Sequence, residues 1–173
     1  LKRKDIAKPE EKPQTTKPQK EMTTEQILWI VGSSLLGLIL LLLSIPSLIY
    51  RYLLLRHNNA RPDGGKAYWA YQVASFYLHQ VGIARRGGTP MQYAKSIVDN
   101  RFGTSFAQFM NVYLKQKYAK QPLTEREHAQ VESFLEPFLQ SVRKQVPLKQ
   151  RVAGFLSPAR SISFFSIGSR NET

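Results

Sequence analysis

The feature that most constrains this chain is a run of 25 residues without a charge, which lies between Glu25 and Arg51. About 20 apolar residues are enough for a helix to cross the hydrocarbon core of a bilayer. A buried helix of a soluble protein rarely stays apolar on every face for this length, and a signal peptide has a shorter apolar core. We therefore predict a transmembrane helix over residues 26–55.

Aromatic and basic side chains flank the predicted span in the pattern that membrane interfaces favour. Trp29 and Tyr50 lie near its two ends. At the rise of an α-helix their separation is about 31 Å, close to the distance between the two interfaces of a bilayer. Arg51, Tyr52 and Arg56 follow the second aromatic residue. We predict that these five residues lie at the membrane interfaces and that the lipid bilayer is a partner of the chain.

The charges beside the span do not decide its orientation. Four lysines precede it within about 20 residues, and four cations follow it over a similar distance, which is the range over which the positive-inside rule counts charges. Acidic residues contribute little to that rule, so the two sides tie. Both orientations stay open on the charges alone.

The two ends of the chain differ from its middle in composition. Residues 1–25 alternate lysine with proline, and such a segment buries too little apolar surface to fold, so we interpret it as a linker. Residues 147–173 form a basic tail in which we expect one short amphipathic helix and partial disorder. The tail could also lie on an anionic leaflet or pack on the preceding domain. The chain begins with Leu1, and we expect it to be a processed chain or a piece of a longer protein.

Helical spacing of apolar residues dominates the middle of the chain. After a juxtamembrane turn at residues 56–65, residues 66–146 repeat apolar side chains every three or four positions and show no alternation typical of strands. Pro137 falls inside the last apolar stripe and predicts a kink or a break near Phe134. The predicted fold class is all-α, with one transmembrane helix followed by a small bundle of about four helices.

Two sequences in this domain have the form of helix starts. Thr89 can accept a hydrogen bond as an N-cap, and Pro90 suits the first helical position because its missing N–H would have no partner there. Thr124 and Glu127 have the spacing of a capping box. Both sites are therefore predicted to begin helices.

Groups suited to catalysis are scarce. The chain has no cysteine, which excludes disulfides, zinc–thiolate sites and cysteine nucleophiles. His57, His79 and His128 lie on separate predicted elements and do not form a metal-ligand spacing. We predict no catalytic residue, no cofactor and no metal site, and we expect this chain itself not to be an enzyme.

The net charge of +13 suggests an acidic partner. Basic clusters near aromatic residues, such as Lys115 to Lys120 and Arg143 to Arg151, are also found in nucleic-acid-binding proteins. An anionic membrane surface would attract the same cations, and beside a predicted span we favour it. A membrane-tethered nucleic-acid-binding module stays the alternative.

A motif of small, aromatic and basic residues occupies the centre of the domain. Its members are Gly82, Arg85, Thr89, Pro90, Tyr93 and Ala94, followed later by Tyr118. The stretch from Tyr71 to Tyr118 resembles the C-terminal helical domain of unknown function (DUF4129) of bacterial transglutaminase-like membrane proteins. The later ending in that family is of the Arg-Tyr-Gly type, and here it is Lys117-Tyr118-Ala119.

The resemblance implies an orientation and a context. In that family a Cys-His-Asp catalytic domain lies outside the cytoplasm, and a last span leads to the helical domain in the cytosol. It implies an extracytoplasmic linker at residues 1–25 and a cytosolic domain at 66–146, in the bacterial inner membrane. We therefore expect a non-catalytic, membrane-anchored segment that acts in partner binding or assembly with missing N-terminal domains. A further alternative is an accessory part of an acyl-transfer or protease-type enzyme whose triad lies upstream.

Overall fold

The computed structural model describes residues 23–61, 65–85, 87–119 and 121–170, and the side chains of residues 167–170 lie outside this description. The described part is all-helical and contains no strand, which confirms the predicted class. The chain divides into two compact units, residues 1–36 and residues 37–173. Nearly all of the predicted linker lies outside the described residues.

One long apolar helix, α1, spans Thr24–Asn58 and includes the whole predicted span. It is long and apolar enough to cross a membrane by length and composition, and none of its most apolar window is buried in the structure. The helix runs through Pro46 without a break, although a proline in a helix interior removes one backbone hydrogen bond. In the second unit, Leu53 and His57 of α1 are buried against the following helices.

The remaining helices belong to the second unit. Helix α2 is Gly65–Gln80. Helix α3 begins at Pro90–Tyr93 and continues through the π-helical Ala94–Asp99 to Asn100–Phe102. Helix α4 is Phe106–Leu114 with the π-helical extension Lys115–Ala119. Helices α5, α6 and α7 are Glu125–Gln145, Leu148–Phe155 and Pro158–Arg170.

The core is aromatic where α4 meets α5. Phe109 stacks on Phe134, and Phe106 contacts both Phe134 and Phe138. These side chains recur every three or four residues along both helices, so each helix presents one continuous apolar face. Helix α2 also contributes to the core, and its Val73, Phe76 and Leu78 are fully buried.

The predicted helix starts form as expected, and one cap comes from an unexpected residue. Thr124 and Glu127 make both hydrogen bonds of the capping box, and Thr89 accepts a hydrogen bond from the Gln92 N–H at 3.1 Å. Helix α4 is capped by Asp99, which accepts hydrogen bonds from the N–H groups of Phe106 and Ala107 at 2.7 and 2.8 Å. An aspartate seven residues upstream reaches them because Gly103 turns the chain with φ of 60°.

Two regions differ from the sequence prediction. We predicted a kink or a break near Phe134; helix α5 continues through Pro137 to Gln145, so the break does not occur. The tail contains two helices, α6 and α7, where we predicted one short helix. Sequence periodicity missed α7 because its buried side includes serines, such as Ser161, whose partners lie on another helix.

Candidate functional site

The motif residues from Gly82 to Ala94 lie in the connection between α2 and α3 and at the start of α3. Gly82 has φ of 86°, a left-handed conformation that favours glycine, and it ends α2. Thr89 and Pro90 begin α3, and Ala94 is fully buried at the start of the π-helical segment. The connection therefore has a structural explanation at each of these four positions.

Tyr93 fastens this connection to the core. Its ring is buried, and its hydroxyl donates a hydrogen bond to the carbonyl oxygen of Ile83. Burial raises the pKa of this hydroxyl well above its usual range, so Tyr93 stays a neutral donor at physiological pH. Tyr93 is thus a positioning residue of the loop.

The other two motif residues lie at the surface or near it. Arg85 is half-buried beside Tyr93. Burial raises the pKa of the Tyr93 hydroxyl, and the positive charge of Arg85 acts in the opposite direction with a smaller effect. Tyr118 is 71% exposed at the end of α4, where its ring contacts the Lys117 ammonium at 5.5 Å. Six of the seven motif residues therefore follow one loop and helix start, and Tyr118 belongs to a separate exposed end.

Of the residues predicted at the second membrane interface, some pack against other helices and others are exposed to solvent. Tyr50 packs edge-on against Phe155 of α6 with ring centroids 5.5 Å apart and also contacts Tyr77. Its hydroxyl accepts a hydrogen bond from Arg143 of α5 at 3.3 Å. Tyr50 thus joins the end of the uncharged run to three other helices.

The neighbouring interface residues contact α2 or solvent. The Arg56 guanidinium lies 4.9 Å from the Trp69 ring centroid, and Tyr52 meets the same ring edge-on. Arg51 is exposed. In the first unit, Trp29 is 80% exposed.

The end of α2 is held by α6 and α7 through contacts that sequence reasoning missed. Gln150 donates to the Val81 carbonyl oxygen and Arg160 to the Gln80 carbonyl oxygen, both at 2.6 Å. The Gln80 amide in turn donates to Ser161 at 2.8 Å. The Arg160 cation thus lies at the C-terminal end of α2, where the negative end of the helix dipole stabilises a positive charge.

A groove of about 200 Å³ lies between the start of α4 and α5. Its aromatic wall is formed by Phe134 and Phe138. Hydroxyl and amide side chains make its polar rim: Thr104, Ser105, Gln108, Gln130, Ser133 and Ser141. No lining residue of this groove is charged.

The histidines are separated in the structure. His57 is buried on α1, His79 hydrogen-bonds Ser163 of α7 at 2.8 Å, and His128 lies in the first turn of α5. Burial lowers the pKa of the His79 imidazole, which favours its neutral form. Within the described ranges no group of three or more His, Asp or Glu side chains is arranged to hold a metal ion.

Comparison with known proteins gives no assignment, since no family, curated protein or solved structure matches this chain.

Proposed function

We propose that this chain is a membrane-anchored segment whose helical domain binds a partner protein or supports the assembly of a larger membrane protein. In this proposal α1 crosses the bilayer and residues 66–146 form a bundle of about four helices in the cytosol of a bacterial cell, next to the inner membrane. The resemblance to transglutaminase-like membrane proteins supports the orientation. The same proposal includes a catalytic domain elsewhere in a longer parent protein.

The observation that carries this proposal is the change in environment along α1. The most apolar window of the helix is wholly unburied, whereas Leu53 and His57 near its end are 5% and 6% exposed. Large exposed apolar surfaces mark contacts with a membrane or another protein. Helix α1 therefore exposes apolar side chains over most of its length, and its C-terminal end is part of the core of the helical domain.

Several basic residues already have partners within the domain, which makes nucleic acid the weaker alternative. Lys115 pairs with Glu127 at 2.8 Å, and Lys66 pairs with Glu132 at 3.0 Å. Arg143 bonds Tyr50. Each of these three cations is therefore held by a side chain of another helix and is less available to a phosphate backbone.

The orientation is tested by labelling single cysteines, which is straightforward because the chain has none of its own. Thr16→Cys and Lys117→Cys are expressed separately in intact bacteria whose outer membrane is permeable to a charged maleimide. We expect labelling of Thr16→Cys only, with both positions reacting after the inner membrane is opened. Labelling of Lys117→Cys in intact cells would contradict the proposed orientation.

Partner binding is tested at the groove. A photo-crosslinking amino acid replaces Ser133 at the rim, and a matched variant carries it at the exposed Lys117. We expect a discrete protein adduct from position 133 in native membranes and a weaker one from position 117. Equal yields at both positions, or no adduct at 133, would argue against the groove as the partner site.

A further inference from the structure

We propose that the outer faces of α6 and α7 lie on an anionic bilayer surface beside the end of the span. This inference rests on the proposed function, because it requires α1 to be inserted in the membrane. It assigns a binding surface to the tail, and the chemical class of its partner is an acidic phospholipid.

The first observation is an apolar stripe that no helix of the described ranges covers. Leu148, Val152 and Leu156 follow one another every four residues along α6 and are 64%, 48% and 49% exposed. On α7 the stripe continues with Ile162 and Phe165, which are 69% and 52% exposed. Side chains three or four residues apart share one face of a helix, so both helices turn apolar surface outward.

The second observation is that the opposite faces are fixed to the domain. Gly154 and Ser161 are buried, and Gln150 and Arg160 hold the end of α2. Phe164 meets Phe76 edge-on at 5.3 Å. The exposed stripe is therefore the outer side of a pair of docked helices and not the unsatisfied core of an unfolded tail.

The third observation places this surface next to the membrane boundary. Phe155 of α6 contacts Tyr50, the last residue of the uncharged run, and Arg143 bonds the hydroxyl of the same tyrosine. Helix α6 thus passes the point where α1 leaves the hydrocarbon region. An amphipathic helix at that depth can bury its apolar face at the level of the headgroups.

The fourth observation is charge. From Pro137 to Asn171 the sequence contains six Lys and Arg residues and not a single Asp or Glu. Lys149 on α6 is exposed beside the apolar stripe. Basic residues near a membrane surface are attracted by acidic lipids. Charge complementarity therefore favours an anionic leaflet over a second copy of this basic chain.

The test measures lipid contact at single positions in the full chain. Val152→Cys and Ala159→Cys carry a fluorophore on the exposed sides of α6 and α7, and Ala129→Cys is the matched control on α5. Ala129 lies 14 residues before Arg143, or about 21 Å along the helix. The proteins are reconstituted in phosphatidylcholine vesicles with or without 30% phosphatidylglycerol, and a lipid-bound quencher is added.

We expect quenching at positions 152 and 159 to be at least three times that at position 129. We also expect quenching at positions 152 and 159 to be stronger in the vesicles that contain phosphatidylglycerol than in those without it. Leu40→Cys within the span separates the two proposals. Quenching at Leu40→Cys without quenching at 152 and 159 overturns the surface assignment alone, and loss of all three signals overturns the membrane anchor as well. Equal quenching in both vesicle types overturns the preference for acidic lipid. The unlabelled Ala159→Cys protein is oxidised in parallel with diamide, and a 159–159 disulfide dimer there, together with no quenching in the labelled protein, assigns the face to a second copy.

Discussion

The backbone of Gly154 in α6 lies directly against the carbonyl group of Gln80 at the end of α2. A Cβ atom built on Gly154 would be 2.9 Å from the Gln80 carbonyl carbon, 3.2 Å from the Arg160 guanidinium and closer still to the carbonyl oxygen. This approach lets Arg160 and Gln80 form the hydrogen bonds that join the tail to the domain. The contact has no freedom to relax, because its nearest atoms belong to a helix backbone.

We expect Gly154→Ala to destabilise the domain by about 1–3 kcal/mol, the usual cost of overpacking. An exposed glycine-to-alanine change in a helix interior would stabilise it by up to about 1 kcal/mol, so the sign of the effect tests the contact. Urea unfolding of the full chain in detergent micelles measures this difference. Gly87→Ala is the control, since nothing lies within 4 Å of its added Cβ, and a comparable loss there would contradict our explanation.

We expect Asp99→Ala to cost about 1–3 kcal/mol, because it removes the cap of α4 and leaves buried donors without partners. The Asp99 carboxylate accepts hydrogen bonds from Thr104 at 2.6 Å and from two backbone N–H groups. Thr89→Ala, which removes one bond at the exposed start of α3, should cost less. Thermal unfolding measures both variants. Equal losses of stability would contradict the larger contribution that we assign to the hydrogen bonds of Asp99.

Acid should weaken the junction between α4 and α5. The Lys115 ammonium and the Thr124 N–H donate to Glu127 and lower the pKa of that carboxyl to about 2. Because the folded pKa lies below the unfolded value of about 4.3, this stabilisation is present above that value and is lost as the pH falls toward 2. Glu127→Gln should flatten this part of the stability profile, and an unchanged slope between pH 5 and pH 2 would contradict the assignment.

Mild acid should also loosen α7 from α2. Burial lowers the pKa of His79, whose ring bonds Ser163 and lies close to the Arg160 guanidinium. The neutral form is favoured in the folded state, so the stabilisation is complete above about pH 6.5 and declines as the pH falls through the folded pKa. Amide hydrogen exchange in α7 measures the effect. It should increase from pH 7 to pH 5 after correction for the intrinsic rate, and His79→Gln should remove the increase.

The matched variant for this experiment is His128→Gln, which keeps His79 in place and should keep the increase in exchange. If the His79→Gln protein still loosens α7 in acid, a different group must be responsible. A uniform increase over all helices would indicate global unfolding and would also contradict the prediction.

Local patterns in the sequence determined much of the helical structure. The uncharged run, the capping box at Thr124 and Glu127 and the Thr89–Pro90 start each depend on residues within a few turns of one another. Steric and hydrogen-bonding rules act over that distance, so these elements could be predicted. Of the kink or break predicted near Phe134, the break does not occur: α5 continues through Pro137, and Phe134 and Phe138 on either side of it both pack on Phe106 of α4.

The tertiary structure alone decided what the ends of the helices contact. Tyr50 fits the sequence pattern of an interface residue, yet its ring also packs on Phe155, which is 105 positions away along the chain. A glycine inside a helix usually lowers its stability, and only the structure places the Gln80 carbonyl group against Gly154. Contacts of this kind depend on how the surfaces of two helices fit together and on backbone carbonyl groups, which are the same in every residue. The spacing of apolar side chains along the sequence predicts neither the fit nor the position of such a carbonyl group.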